Sequence, residues 1–197
     1  EHFHPRLRDE HRQAVREKVG ASRTAPVILF VGSGYERKGV ATLLEACSHM
    51  ATAEAEVWIV GRDKSAARYE ALARQLGIET RVRFFGGQQD VRSFYAAADV
   101  FCLPTLYDPL PNAVLEALAC GIPVLTSATS GAAELIHPGV SGYVCAARDA
   151  SNLVHYLDTL CVPGAAEAMR TAARNAVQDL DWKLQASRLA TLYRDLC

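Results

Sequence analysis

Apolar residues occur along the chain in six short runs that are rich in β-branched and aromatic side chains. Because these runs are almost continuously apolar, rather than alternating with polar residues, they predict parallel strands that are buried on both faces of a sheet. The six runs are Val27–Val31, Val57–Val60, Val82–Phe85, Val100–Leu103, Pro123–Thr126 and Gly142–Cys145.

The segments between these runs have the three-to-four-residue apolar spacing of amphipathic helices. One such stripe lies within 40–47, and others end at Gly77 and Gly121, which are suited to helix C-caps. The strict alternation of strand and helix predicts an α/β class, with a doubly wound, Rossmann-like six-stranded parallel sheet. In the common strand order 3-2-1-4-5-6, a ligand binds at the carboxyl ends of the first and fourth strands.

The two ends of the chain differ from this repeating middle. Residues 1–25 are a charged lead-in that is expected to be partly helical around 11–19. After the last strand the pattern predicts helices over 152–160 and 165–177, and a final helix capped by Asp181. The apolar residues expected on the buried side of that final helix are Trp182, Leu189, Leu192, Tyr193 and Leu196.

Composition excludes several classes of protein. The 197 residues carry 21 Lys and Arg against 22 Asp and Glu, a formal net charge of −1. This lacks the basic surplus of a general nucleic-acid binder. The chain has no apolar run long enough for a membrane-spanning helix. Its six cysteines form no C-x-x-C motif and lie among apolar residues, which favours buried free thiols over disulfides or zinc.

The loop after the first strand, residues 32–39, is suited to a phosphate ligand, and we call it the first loop. Gly32 and Gly34 permit a close backbone approach, and Arg37 and Lys38 follow near the start of a helix. A helix N-terminus beside two cations favours a dianionic phosphate. The spacing does not fit a P-loop, and Arg37 stands where a dinucleotide fingerprint needs a glycine. An ordinary turn with solvated charges is the alternative interpretation.

The loop after the fourth strand, residues 104–112, leads into a helix and is called the second loop. Pro111 suits the first turn of that helix, and the amides of Asn112–Val114 are expected to be free. Asp108 precedes the helix, and Glu116 lies in its second turn among apolar neighbours, so Glu116 is expected to have a partner. Two carboxylates at this spacing can hold hydroxyl-rich parts of a ligand while the amides hold a phosphate.

A specific resemblance appears at this second loop and its helix. The segment Asp108–Val124, DPLPNAVLEALACGIPV, resembles the E-x7-E signature of retaining GT-B glycosyltransferases of family 4. The resemblance continues from about residue 27 to the C-terminus, and it includes Gly131-x-x-Glu134. The segments 31–40, 60–64 and 69–77 are similar to the bacterial lipopolysaccharide core glucosyltransferase I group.

The resemblance implies the nucleotide-binding half of a GT-B fold. Residues 26–197 would bind a donor nucleotide-sugar, and residues 1–25 would lead in from a missing N-terminal acceptor domain. The last helix would cross back toward that missing half. The full-length protein would be a retaining, metal-independent hexosyltransferase that uses a UDP-sugar, UDP-glucose being the expected donor, and has lipopolysaccharide core as acceptor. No cofactor and no nucleic acid are expected, and the location would be cytoplasmic, peripheral to the inner membrane.

The resemblance also implies roles for individual residues. Arg37 and Lys38 would bind the donor diphosphate, Asp108 would hold the sugar hydroxyls, and Glu116 would accept hydrogen bonds from the ribose. The first amides of the following helix would face a phosphate, and the loop 85–87 would edge the uracil. The expected catalytic residues are Arg37, Lys38 and Asp108, and the expected donor-binding residues are Gly32, Gly34, Gly86, Gly87, Asn112, Ala113 and Glu116.

Two departures and two alternatives accompany this assignment. Asp108 replaces the first Glu of the family signature, and Pro111 replaces a glycine and so removes one amide donor. A nicotinamide-dependent Rossmann oxidoreductase is one alternative, but Asp63 arrives only after the second strand has ended. A non-catalytic module that binds a nucleotide-sugar is the other. The D-x-D sequence at 179–181 lies between two helices, so helix capping is expected there rather than Mn²⁺ binding.

Overall fold

The computed structural model describes residues 2–196, and of Trp182 it describes the backbone alone. Six strands form a parallel sheet in the order β3-β2-β1-β4-β5-β6. This confirms the predicted class and strand order. The strands are β1 (Val27–Val31), β2 (Glu56–Val60), β3 (Val82–Gly86), β4 (Val100–Leu103), β5 (Val124–Ser127) and β6 (Gly142–Cys145).

Helices connect the strands and follow the last one. They are α1 (Arg6–Lys18), α2 (Val40–Ser48), α3 (Ala66–Gln75), α4 (Arg92–Ala97), α5 (Asn112–Ala119), α6 (Ala150–Cys161), α7 (Ala165–Asn175) and α8 (Trp182–Asp195). Short 3-10 turns cover Gly131–Leu135 and Gln178–Leu180. Helix α2 packs with α3 and α6, α1 packs on α4, and α5 packs on α7.

The central strands are apolar throughout because both of their faces are covered. Every residue of β2, β4 and β5 is buried. Glycines end two of the helices as predicted, and Gly121 adopts a left-handed φ of 69° after α5. The amide of the next residue, Ile122, donates to the carbonyl of Ala117 at 2.9 Å, which closes the helix end. Strand β1 pairs with β4 at the centre of the sheet, and the first and second loops begin where these two strands end.

Helix α1 is longer and more firmly attached than the sequence pattern indicates. It begins at Arg6 rather than near residue 11, and it packs along α4. The side chain of Arg16 is buried and pairs with Asp99, with Nη2 2.6 Å from Oδ2. The assignment of residues 1–25 to an interdomain lead-in stays a prediction, but 6–18 are folded onto the sheet domain.

Helix α8 contradicts the prediction of a buried side. Its apolar side chains are exposed, with exposed fractions of 54% for Leu192, 61% for Tyr193 and 74% for Leu196. Leu189, which the pattern also assigned to the buried side, is exposed as well. Trp182, the fifth of these residues, has a side chain outside the described part. The periodicity of α8 is real, but no element of the described chain covers its apolar side.

Two further predictions can be compared with the structure. The described cysteines are free and buried, as expected, and they are Cys47, Cys102, Cys120, Cys145 and Cys161. Cys197 lies outside the described residues. Over residues 2–196, none of the helices has the length and apolar character needed to cross a membrane.

Candidate functional site

The first and second loops lie side by side, as the strand order predicts. The backbone amide of Leu106 donates to the carbonyl of Arg37 at 2.8 Å, and the hydroxyl of Thr105 donates to the same carbonyl at 3.0 Å. Gly39 has a φ of 78°, and a Cβ built on it would lie 2.0 Å from the carbonyl oxygen of Pro104. A glycine is needed at this position because only its backbone can approach the second loop so closely.

The three predicted catalytic residues meet between these loops, where the two cations contact one carboxylate oxygen of Asp108. The ammonium of Lys38 donates to Oδ2 of Asp108, and Nη1 of Arg37 lies 3.3 Å from the same atom. Arg37 also donates to the carbonyl of Tyr107 at 2.9 Å. Lys38 and Asp108 are buried, whereas the side chain of Arg37 is 51% exposed. The two cations predicted to receive a diphosphate are therefore held together by the carboxylate predicted to receive a sugar.

The backbone around Asp108 is held by the loop that follows β5. The amide of Gly131 donates to the carbonyl of Asp108 at 2.9 Å. The hydroxyls of Ser127 and Thr129 both donate to the carbonyl of Thr105. These hydroxyls therefore join the loop after β5 to the second loop. Asp108 is thus fixed by its backbone as well as by its side chain.

Glycines of the first loop lie close to these charges. A Cβ on Gly32 would lie 3.7 Å from Cε of Lys38, so this glycine borders the lysine side chain. Gly34 has a φ of 75°, a backbone conformation that favours glycine. Its neighbour Tyr35 donates its amide to Asp63 Oδ2 at 2.8 Å. Hydrogen bonds from the amides of Tyr35 and Ser65 lower the pKa of Asp63 and so favour its charged form. Through its bond to Tyr35, Asp63 joins the β2–α3 loop to the first loop.

An open cleft borders the first loop. Its volume is about 420 Å³, and Arg37 and Leu106 line it together with Arg68 and Tyr69. The cleft lies between the first loop and the β2–α3 loop. Arg37 therefore faces two places, the carboxylate of Asp108 and this cleft.

The N-terminus of α5 presents two unpaired amides rather than the three predicted. Over residues 2–196, the amides of Asn112 and Ala113 have no hydrogen-bond acceptor, whereas the amide of Val114 donates to the carbonyl of Pro111 at 3.0 Å. Pro111 is the N-cap, with extended backbone angles that turn its carbonyl toward the helix. The expectation for Val114 is therefore wrong, and those for Asn112 and Ala113 agree with the structure.

Glu116 lies one turn further along the same face of α5 as Asn112. Its Oε2 accepts a hydrogen bond of 2.8 Å from the hydroxyl of Tyr95, a residue of α4. Its Oε1 has no partner within the described chain and is not buried. The expected partner of Glu116 is thus Tyr95, and one carboxylate oxygen stays available beside the free amides of α5.

Gly86 and Gly87 lie at the end of β3, at the edge of the sheet. Strand β3 is two strands from β1 and three from β4. The carbonyl of Gly86 accepts the amide of Gly61 at 2.8 Å, and Gly87 lies beside the side chain of Arg62. The structure does not bring these glycines into the cluster of Arg37, Lys38 and Asp108. Their proposed role at the uracil stays a prediction.

Two site features could not be assigned from the sequence pattern. Tyr95 belongs to an apolar helical stripe, and only its hydroxyl, which needs a partner when buried, hinted at a polar role. Asp63 followed a strand but had no motif around it. The D-x-D sequence behaves as predicted, because Oδ1 of Asp181 accepts the amides of Lys183 and Leu184 at the start of α8.

Comparison with known proteins places this geometry in a family. The sequence profile described as Glycosyl transferases group 1 matches residues 11–176, which is most of the chain. The chain belongs to this family. The match includes both loops, α5 and most of α1, and it replaces the oxidoreductase alternative considered above.

Two similar curated proteins are named for lipopolysaccharide synthesis. The lipopolysaccharide core biosynthesis glycosyltransferase LpsE of Rhizobium meliloti (strain 1021) is 33% identical over 74% of this chain and 42% of its own length. The lipopolysaccharide glucosyltransferase WaaG of Escherichia coli (strain K12) is 36% identical over 68% of this chain and 37% of its own length. The chain thus spans less than half of each of these relatives.

Similar solved structures have the same fold. The crystal structure of WaaG matches 91% of this chain and 51% of its own, with a TM-score of 0.80 and 30% identity. The structure of HepE from Anabaena, determined with UDP and glucose, matches 98% of this chain and 55% of its own, with a TM-score of 0.86 and 22% identity. The sheet domain is therefore the Rossmann-like half of a GT-B fold.

Proposed function

We propose that this chain is the donor-binding half of a hexosyltransferase and that its donor is a UDP-sugar, UDP-glucose first. The observation that carries the proposal is the convergence of Arg37, Lys38 and Asp108 beside the free amides of α5. HepE was solved with UDP and glucose, and WaaG is a lipopolysaccharide glucosyltransferase, which supports this choice of donor.

The charges of the cluster fit a diphosphate. Before the donor arrives, the single negative charge of Asp108 pairs with both Lys38 and Arg37 and leaves the cluster with a net positive charge. A diphosphate brings negative charge and draws both cations toward itself, and Asp108 then accepts hydrogen bonds from sugar hydroxyls. The cations stabilise the charge that develops on the departing UDP, which is the role that a divalent metal plays elsewhere. We therefore propose metal-independent transfer with retention of the anomeric configuration.

The remainder of the enzyme supplies the acceptor site in this proposal. The chain spans about half of the WaaG structure, so lipopolysaccharide core would bind the other half. The exposed apolar side of α8 would pack against that half. The described chain alone would bind the donor and transfer no sugar, and the full-length enzyme would act at the cytoplasmic face of the inner membrane.

Calorimetric titration with UDP in EDTA tests the proposal. We expect saturable binding that exceeds the binding of ADP and NAD and is unchanged by added Mg²⁺. Glu116→Ala should weaken UDP binding about 10- to 100-fold, because a carboxylate accepting ribose hydroxyls makes charge-assisted hydrogen bonds. Glu79→Ala, an exposed Glu far from both loops, is the matched control and should bind UDP as the wild type does.

Three results would count against the proposal. Binding of NAD without binding of UDP would contradict the assignment to a UDP-sugar enzyme. Loss of UDP binding in EDTA would contradict metal independence. Sugar transfer from UDP-glucose to lipopolysaccharide core by this chain alone would contradict the need for the other half.

A further inference from the structure

Tyr95 is buried beneath the helix that carries the proposed ribose contact. The residue is 1% exposed, and its ring stacks on Phe101 with centroids 5.9 Å apart and an interplanar angle of 26°. Phe3, from the segment before α1, packs edge-on against the same ring at 5.5 Å. The ring is therefore enclosed by aromatic neighbours, and its hydroxyl has one fixed position.

The hydroxyl of Tyr95 donates to the carboxylate of Glu116. The distance to Oε2 of Glu116 is 2.8 Å, and the carbonyl of Ala113 lies 3.2 Å away. A tyrosine hydroxyl has one proton, and the shorter contact to a charged acceptor is the stronger one. Burial and the nearby charge of Glu116 raise the pKa of Tyr95 well above its ordinary value, so the hydroxyl remains a donor at physiological pH.

This bond occupies one carboxylate oxygen of Glu116 and leaves the other free. Among residues 2–196, Tyr95 is the one hydrogen-bond donor to this carboxylate, and no Lys or Arg pairs with it. The second oxygen, Oε1, is accessible and unpaired. A free Glu side chain loses conformational entropy when a ligand fixes it. A carboxylate already fixed by a neighbour avoids much of that loss on binding.

We propose that Tyr95 is a positioning residue for the donor, because its hydroxyl holds Glu116 so that Oε1 faces the vicinal hydroxyls of the ribose. The proposal rests on the role of Glu116 proposed above. It assigns to Tyr95 a part of the donor affinity without any contact between Tyr95 and the donor.

Tyr95→Phe is the deciding variant, and calorimetry with UDP is the measurement. We expect the Kd for UDP to rise about 3- to 10-fold, because the donor must then fix a Glu116 side chain that is no longer held in place. In a Glu116→Ala background the same substitution should have no further effect. For 2′,3′-dideoxy-UDP, which lacks the hydroxyls that Glu116 would bind, wild type and Tyr95→Phe should have equal affinity.

Two control variants separate positioning from a general loss of structure. Tyr156→Phe removes a hydroxyl from a tyrosine of α6 and should leave UDP binding unchanged. Phe3→Ala keeps the hydroxyl but removes the edge-on packing on the Tyr95 ring. We expect it to weaken UDP binding about twofold and dideoxy-UDP binding not at all. Phe3→Ala also keeps the test decisive if Tyr95→Phe unfolds.

The outcomes distinguish this inference from the proposed function. If Tyr95→Phe weakens UDP and dideoxy-UDP equally, or adds its full effect to Glu116→Ala, Tyr95 does not act through Glu116 and the inference is wrong. If the wild type binds no UDP, the proposed function fails and the inference fails with it. The positioning role would be established if the wild type binds UDP, Tyr95→Phe binds UDP more weakly, and the two proteins bind dideoxy-UDP with equal affinity.

Discussion

The helices at the two ends of the chain, α1 and α8, have opposite relations to the domain between them. The charged helix α1 was expected to be part of a lead-in, yet it is packed against α4. The amphipathic helix α8 was expected to bury one side, yet its apolar residues are exposed. Charge along a helix does not by itself predict exposure, and apolar periodicity does not by itself predict burial.

Helix α1 is attached by three arginines spaced one turn apart. Arg8, Arg12 and Arg16 all pair with the carboxylate of Asp99, at 3.1, 2.9 and 2.6 Å. All three also donate to the carbonyls of Ala97 or Ala98 at the end of α4. These carbonyls lack partners within their own helix and carry its negative pole, so cations stabilise them. A face of arginines is therefore the packing face of α1.

Helix α8 has nothing comparable within the described chain. Its apolar residues recur at helical spacing, but the main element that α8 contacts in the described chain is the short 3-10 turn before it. An exposed apolar face of this kind is typical of a surface that another protein segment covers. The comparison with α1 teaches that burial of a helix depends on whether another element packs against it, and that the apolar or charged pattern of the helix is not sufficient to predict it.

Among the variants that test how α1 is attached, Asp99→Asn is expected to reduce the free energy of unfolding most. Removing the negative charge leaves the buried guanidinium of Arg16 uncompensated, which should reduce the free energy of unfolding by about 3–5 kcal/mol. Urea unfolding followed by circular dichroism measures the change. Asp9→Asn, an exposed carboxylate on α1, should change stability by less than about 0.5 kcal/mol. A comparable loss in both variants would show that Asp99 does not anchor α1.

The three arginines should contribute unequally. Arg16→Met is expected to cost about 3 kcal/mol, because Arg16 also donates to the carbonyls of Ser22 and Ala25 and these would lose their partner. Arg12→Met should cost about 1 kcal/mol, because its side chain is partly exposed and water can replace it. The same unfolding measurement compares them. Equal losses would contradict the view that burial sets each contribution.

The free energy of unfolding should decrease at low pH because Asp99 becomes protonated. Burial alone would raise the pKa of Asp99, but the charges of Arg12 and Arg16 outweigh it, and the pKa is lowered. The unfolded chain, with a pKa of about 3.9, therefore takes up the proton first. The stabilisation is complete at neutral pH and is lost below about pH 4, with a slope of at most about 1.4 kcal/mol per pH unit for this group.

Unfolding of wild type and Asp99→Asn at a series of pH values checks this dependence. The stability difference between the two proteins should be constant from pH 7 to about pH 5 and should shrink as the pH falls further. A difference that grew in acid would mean that the pKa of Asp99 is raised rather than lowered.

The smallest effect is expected on α8. Leu192→Ala removes a side chain that is already in water, so the described chain should lose less than about 0.5 kcal/mol. Leu153→Ala, on the buried side of α6, is the matched control and should cost about 2–5 kcal/mol. A loss above about 1 kcal/mol for Leu192→Ala would mean that α8 is packed in solution.

Much of the fold could be predicted because its signals are local. The run Val27–Val31 is a strand in both the prediction and the structure, and the turn residues Gly77 and Gly121 end helices as their type suggests. Strand boundaries shifted by one residue at Pro123, which lacks the N–H of a regular strand residue. The order of the strands followed from the alternation of elements and the topology that it favours.

The candidate site was predicted as two loops, and its internal pairing was not. Sequence placed Arg37, Lys38 and Asp108 at the same edge of the sheet, because the first and fourth strands end there. It did not predict that one carboxylate oxygen holds both cations, or that Tyr95 holds Glu116. Each of these contacts depends on side-chain rotamers and on the exact approach of two separate elements.

The sequence by itself determined the class, the succession of strands and helices, the two loops that meet where β1 and β4 end, and the family of the chain. The tertiary structure decided which side chains meet. Lys38 and Asp108 are 70 residues apart, Tyr95 and Glu116 are 21 apart, and Arg16 and Asp99 are 83 apart. Local patterns encode backbone conformation over one or two turns, whereas contacts at these separations exist only after the sheet has brought its strand ends and helices together.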